Sequence, residues 1–235
     1  MKNYIIIGGS SGIGLSIVNK LKSNPQNKVW STYNTSDDEL IKQHEMNYHL
    51  DVNAERFDFH YLPEVLDGIV YCPGTIKLKP FHRIKAEEFI QDYQIQFLGA
   101  VRVIQALLPK LKKSHDASVV LFSSVAVQKG FIFHSLVSSS KGAIEGLTKA
   151  LAAEYAPDIR FNCIAPSLTD TPLAASLLNT DAKVESNVNR HPLKRIGKPE
   201  DMASLATFLL SENASWMTGQ IINLDGGIST IHQSK

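Results

Sequence analysis

The stretch Tyr4-Ile5-Ile6-Ile7-Gly8-Gly9-Ser10-Ser11-Gly12-Ile13-Gly14 runs an apolar segment into a glycine-rich turn, and the residues after it change period. Tyr4–Ile7 reads as a buried strand. Ile13, Ile17, Val18 and Leu21 recur at helical intervals, so a helix over Ile13–Leu21 follows. Glycines in such a turn let the backbone bend sharply and approach a pyrophosphate, while the helix amino terminus presents unpaired N–H groups to the anion. The segment therefore predicts a dinucleotide cradle built from Gly8, Ser10, Ser11, Gly12, Ile13 and Gly14. The alternative is a plain strand-to-helix turn, which can use glycines for bending alone.

The same alternation continues along the chain. Further strands are expected at Lys28–Thr32, Tyr48–Asp51, Gly68–Cys72, Ser118–Phe122, Ile159–Ile164 and Gln220–Asn223, several too uniformly apolar to have one wet face. Helical periodicity marks Glu87–Leu111, Ser138–Tyr155 and Glu200–Leu210. Seven strands joined by right-handed crossovers give an α/β fold, a doubly wound parallel sheet with helices on both faces. Ligands of such sheets sit beyond the carboxyl ends of the strands.

Composition narrows the function classes. The 235 residues, 43% hydrophobic, suit one domain with one sizeable core. A net charge of +1 without long runs of either sign argues against a nucleic-acid partner. The apolar start is far too short for a membrane span and lacks signal-peptide architecture, so a soluble cytoplasmic protein is expected. Cys72 and Cys163, both in apolar segments, read as packed thiols rather than a disulfide framework. No cluster with metal-ligand spacing stands out, and no metal is expected.

The spacing Gly-x-x-x-Gly-x-Gly resembles that of the short-chain dehydrogenases/reductases, which fold as Rossmann-type sheets, and further motifs extend the likeness from end to end. Family members commonly place Thr before the first glycine, where this chain has Ile7. Asp51-Val52 resembles the pair that meets the adenine, although Asp51 also reads as a helix cap before Asn53. Tyr71-Cys72-Pro73-Gly74 stands where the family has Asn-Ala-Gly, and only Gly74 matches. Pro166-Ser167-Leu168-Thr169-Asp170-Thr171 resembles the segment that grips the nicotinamide carboxamide, so Pro166, Leu168 and Thr171 are expected at the cofactor. The resemblance implies NAD(P)(H). Between Trp30 and Ser36 there is neither the acid that selects NAD nor the base that selects NADP; with no carboxylate opposing a 2′-phosphate and Asn34, Thr35 and Ser36 able to bond it, NADP(H) is slightly preferred over NAD(H).

The resemblance also implies a catalytic quartet of serine, tyrosine, lysine and asparagine. Reducing a carbonyl builds an alkoxide, which needs an acid within hydrogen-bond reach; a tyrosine of pKa ~10 serves near neutrality only beside a cation. Ser124 takes the serine's place after Val119–Phe122. Lys141 takes the lysine's, and is expected to hold the nicotinamide ribose. The tyrosine's position, four residues before Lys141 and thirteen after Ser124, holds Val137. Gln96 stands where the asparagine belongs. Valine neither donates nor accepts a proton. Replacements are His134, nearby in sequence with a suitable pKa, or Lys141 acting through water; His134 also reads as a loop residue facing solvent or capping the next helix.

Two functions compete. One is an NAD(P)-dependent oxidoreductase of a small carbonyl or alcohol with a modified acid/base arrangement. The other is a catalytically degenerate dinucleotide-binding regulatory or structural protein. A lyase or isomerase has no positive feature in its favour. The weakly patterned stretch 173–191 is expected to form a substrate lid. Gly142, Gly146 and Ala150 share one helix face; such faces ordinarily pack on their own sheet, while the resemblance implies a homodimer or homotetramer built on this helix and on Glu87–Leu111.

Overall fold

In a computed structural model, residues 1–35 and 46–232 are described. Seven parallel strands form one sheet in the order β3-β2-β1-β4-β5-β6-β7, with β1 (Lys2–Ile7), β2 (Asn27–Tyr33), β3 (Asn47–His49), β4 (Gly68–Tyr71), β5 (Ala117–Phe122), β6 (Ile159–Pro166) and β7 (Ile221–Leu224). Each expected strand is present. The third is displaced, ending at His49 rather than Asp51, because Asp51 Oδ1 accepts the Asn53 N–H at 2.9 Å and turns the chain off the sheet.

Period-2 alternation along β1 divides the core between the two faces of the sheet. Ile5 and Ile7 face one layer, with Ile69, Val119, Leu121 and Phe161. Tyr4 and Ile6 face the other, with Val70, Val120 and Ile164. Helices α1 (Gly12–Lys22) and α7 (Pro199–Leu210) cover the second layer through Ile17, Val18, Met202 and Ala206. The first is covered by α3 (Gly99–Leu111) and α5 (Ser135–Tyr155), through Val103, Leu107 and Ile144. Between β3 and β4 the chain crosses without a helix and covers the sheet with Leu50, Phe59, Leu62 and Leu66, while Tyr61 stacks on Tyr48 with ring centres 3.7 Å apart.

The helix expected over Glu87–Leu111 is interrupted. Its first part, α2 (Ala86–Tyr93), runs through a π-helical turn, Gln94–Leu98, into α3. The cause is Tyr71, at the end of β4. Its hydroxyl donates to Ile95 O at 2.5 Å and occupies the space where a side chain on Gly99 would stand. A carbonyl bonded from outside leaves the helical ladder, and a π turn is the usual result. This turn carries Gln96 inward, fully buried.

Two further expectations change. Helix α5 starts at Ser135, three residues before the expected Ser138. Its small-residue face does not pack on the chain's own sheet: Gly146 and Ala150 are exposed, and nothing described lies within 4 Å of a Cβ placed on Gly146. The stretch 173–191 is not pattern-free either. It holds a 3₁₀ turn, Pro172–Leu177, and helix α6 (Asp181–Arg190), which has no fully buried residue and only Val184 and Val188 as the apolar part of its half-buried face.

Candidate active site

The strand order reverses between β1 and β4, and a cleft of about 400 Å3 opens beyond the carboxyl ends of the central strands, as the topology requires. Ile13, Gly74, Gln96, Ser124, His134, Val137, Lys141, Pro166, Leu168 and Thr171 all line it, drawn from six separate segments of the chain. Asn34, Asp51 and Val52 do not. Asn34 is exposed just beyond β2, and Val52 is buried under Gly99. They belong to the opposite side of the switch point, toward β3. Ser36 lies outside the described residues.

The glycine turn is held from β2. Gly8 N–H donates to Thr32 Oγ1 at 3.1 Å and Gly9 N–H to Thr32 O at 2.9 Å, so Thr32 supplies the hydroxyl that Ile7 lacks. A Cβ on Gly14 would stand 2.1 Å from Gly8 O, which explains that glycine: helix α1 packs directly on the turn. Ser11 is the N-cap of α1 but its side chain bonds no backbone N–H, leaving the first-turn donors available to an anion. Gly12, at φ 51°, faces Thr171, whose Cβ is 3.3 Å from where a Cβ would be. The turn and the segment after β6 thus meet across the cleft.

At the inner end, Lys141 Nζ donates to Phe122 O at 2.9 Å. Burial depresses its pKa to about 8, with Cys163, Asp92 and Cys72 opposing the shift. Burial also pushes the Cys163 thiol up to about 12, so that neighbour stays uncharged near neutrality. Ser124 caps the short helix α4 (Val125–Gln128), accepting the Ala126 N–H at 3.2 Å; its own O–H remains free to donate. Val137 lines the cleft one helical turn before Lys141 and is 5% exposed. His134 is the N-cap residue of α5 but its side chain caps nothing, because Nδ1 lies 2.8 Å from Ile132 O and the ring packs on Phe131.

Sequence reasoning missed Asp92. This buried carboxylate accepts from Gln96 Nε2 at 2.7 Å, from Ser140 Oγ at 2.6 Å, and from Thr75 Oγ1. Its signal was the spacing of Asp92 and Gln96, four apart on one helix face. The π turn hid how deeply that face is buried. His191 was missed as well: Nδ1 lies 2.7 Å from Asn187 O and Nε2 2.8 Å from Ser167 Oγ, which makes Nδ1 the donor and fastens the end of α6 to the segment after β6.

Two features fit a dinucleotide. The first turn of α1 keeps its backbone donors uncapped where a pyrophosphate would lie, and Gln96 Oε1 is buried near Lys141 with no partner among the described residues. Comparison with known proteins identifies the class. A family model described as Enoyl-(Acyl carrier protein) reductase matches residues 8–229, and the chain belongs to that family, within the short-chain dehydrogenases/reductases, a family of oxidoreductases. Particular relatives sharpen the placement. A tropinone reductase homolog of Datura stramonium is 32% identical over 95% of this chain and 90% of its own length. A tropinone reductase homolog of Arabidopsis thaliana is 39% identical over 70% of this chain; the match spans 62% of that relative's length. Among solved structures, a ligand-free aldohexose dehydrogenase of Thermoplasma acidophilum superposes with a TM-score of 0.86 at 26% identity, covering 100% of this chain and 97% of that one. Among the described residues, no helix is long and apolar enough to cross a membrane and no cluster could hold a metal.

Proposed function

We propose that the protein is an NAD(P)(H)-dependent oxidoreductase of a small carbonyl or alcohol substrate in which Lys141, rather than a tyrosine, moves the proton. The observation that carries this reading is the Lys141 ammonium, buried in the cleft beside Ser124 and Val137 with a pKa of about 8. An acid with a pKa near the working pH is the efficient one, and burial has tuned a lysine into that range.

The glycine turn from Gly8 to Gly14 would hold the pyrophosphate, Thr171 with Pro166 and Leu168 the carboxamide end, Lys141 the nicotinamide ribose, and Asp51 and Val52 the adenine. Asn34 leaves room for a 2′-phosphate, which favours NADP(H). When bound, that cofactor supplies or accepts the hydride. The chain's own work is at the substrate oxygen. Ser124 O–H donates to it, as one oxyanion donor does. One Lys141 N–H is committed to Phe122 O, and the others reach into the cleft to deliver the proton that turns alkoxide into alcohol. Leu168 and Ala174 give the site an apolar wall. The exposed Gly146 and Ala150 on α5 favour assembly into a dimer or tetramer.

The test is direct. Purified protein is titrated with NADPH and NADH, then followed at the nicotinamide absorbance with aldehydes, ketones and diketones. Turnover with NADPH supports the reading; tight cofactor binding without turnover of any carbonyl favours the regulatory alternative, for which the apolar Val137 speaks.

A further inference from the structure

Resting on the oxidoreductase reading above, we infer that the substrate joins its carbonyl to an apolar chain ending in an anionic group, and that Arg190, assisted by Lys183, receives that anion. The inference begins with what the cleft lacks. Among the described residues no aspartate or glutamate lines it, whereas three cations do: Lys141, Lys183 and Arg190. Lys141 sits at the chemistry. The other two stand on α6, within the stretch expected to cover the substrate.

The two differ in what they already hold. Lys183 Nζ donates to Ser176 O at 2.9 Å and to Asn179 Oδ1 at 2.8 Å, so it braces the start of the cover. Arg190 has its guanidinium carbon 5.1 Å from the centre of the Phe131 ring, and among the described residues its side chain has no hydrogen-bond or ion-pair partner. A guanidinium that rests against an aromatic ring and bonds nothing else keeps its fork of donors for a carboxylate or phosphate. Arg190 itself is exposed at the rim of the cleft, and the rest of the lining is largely apolar, with Leu78, Phe131, Leu173, Leu177 and Ile228. They offer a polyhydroxylated substrate few partners, and an alkyl chain a continuous surface. Arg190 also lies on the β6 side of the switch point, away from the β2 end where Asn34 would meet the adenosine ribose. Its anion is therefore the substrate's.

The test uses matched pairs: oxo acids of eight or nine carbons, with the ketone at position 4, 5 or 6, and their methyl esters. Each is titrated by calorimetry into protein saturated with NADP⁺ at pH 7, and each is also assayed for NADPH oxidation. At least one acid is expected to bind tenfold or more tightly than its ester. Arg190→Gln should bring the acid-to-ester ratio close to one, and Arg190→Lys should restore part of it, with the NADPH dissociation constant measured separately for each variant. A ratio near or below one in the unmodified protein overturns the inference, as does binding of neither compound. So does a ratio that survives Arg190→Gln, or an Arg190→Gln effect confined to NADPH binding. Selective binding without any NADPH oxidation leaves the ligand class standing and removes the oxidoreductase reading, so the two fail separately.

Discussion

Gln96 donates its Nε2–H to the buried Asp92 carboxylate across 2.7 Å, and this contact decides which way the amide faces. A carboxylate only accepts, so Oε1 is turned to the other side, where it is buried without a partner among the described residues. That side is the cleft lined by Lys141. One point, the place of a Cβ on Gly74, is 3.3 Å from Gln96 Oε1 and 3.6 Å from Lys141 Nζ. An orphaned buried acceptor costs about 1–3 kcal/mol, a cost removed when a water, a ribose hydroxyl or the ammonium itself donates to it.

Asp92→Asn tests this arrangement. The variant frees the amide to flip and removes a charge that holds the Lys141 pKa up. Two effects are expected in carbonyl reduction: kcat falls about tenfold, equivalent to ~1.4 kcal/mol, and the basic limb of the kcat/KM profile moves to lower pH. A merely structural role for Asp92 would lower activity without moving the limb. Melting curves distinguish unfolding from either outcome.

Val137 marks where a phenol would stand. It lies in the cleft wall one turn before Lys141, so Val137→Tyr sets a hydroxyl beside a cation able to depress its pKa. Carbonyl reduction should accelerate, by about 10²-fold at the lower end of what an added general acid provides. An unchanged rate in a folded, cofactor-binding variant would show that the proton already has an efficient source.

The fold was legible because its signals are local. Uniformly apolar runs announced β1, β4, β5 and β6, and the glycine turn announced the helix after β1. The candidate site was legible where motifs stood in register: the residues from Ser124, Lys141 and Thr171 do meet in one cleft. What stayed hidden depended on contacts distant in sequence. Thr32, bonded to Gly8 from 24 residues away, replaces the hydroxyl missing at Ile7. Tyr71 bends the helix at Ile95 across the same separation, and Asp92 acquires its meaning only from Thr75 and Ser140. Helix α6 was unreadable for a different reason: its half-buried face carries only two apolar residues, Val184 and Val188, too few to stand out as a periodic signal.

His134 is the rival proton donor, and it is held differently from Lys141. Phe133, at φ 70°, is held in the left-handed region and sets the turn that aims the following imidazole. Nδ1 lies 2.8 Å from Ile132 O and the ring packs on Phe131, so the imidazole is fastened to its own loop, whereas Lys141 is buried at the inner end of the cleft. His134→Ala is expected to lower kcat less than about fivefold, and Lys141→Ala by more than about 10²-fold, in line with loss of a principal general acid. Comparable losses in the two variants would return His134 to the mechanism.

The depressed pKa of Lys141 also makes a prediction about stability. Its folded value is about 8 and its ordinary value 10.5. Between the two, the unfolded chain holds a proton that the folded chain has released, so unfolding takes up a proton and stability rises with pH across this window. Below about pH 8 the buried ammonium is charged in both states and its desolvation penalty is fully present. Lys141→Met removes that penalty while filling similar volume. The variant should therefore melt above the unmodified protein at pH 7, and the gap should narrow steadily between pH 8 and pH 10, other titrating groups being common to both. Melting is followed by circular dichroism in matched buffers. A gap that stays constant over that range would mean that Lys141 titrates normally, and the proposal that it works as an acid near neutrality would lose its physical basis.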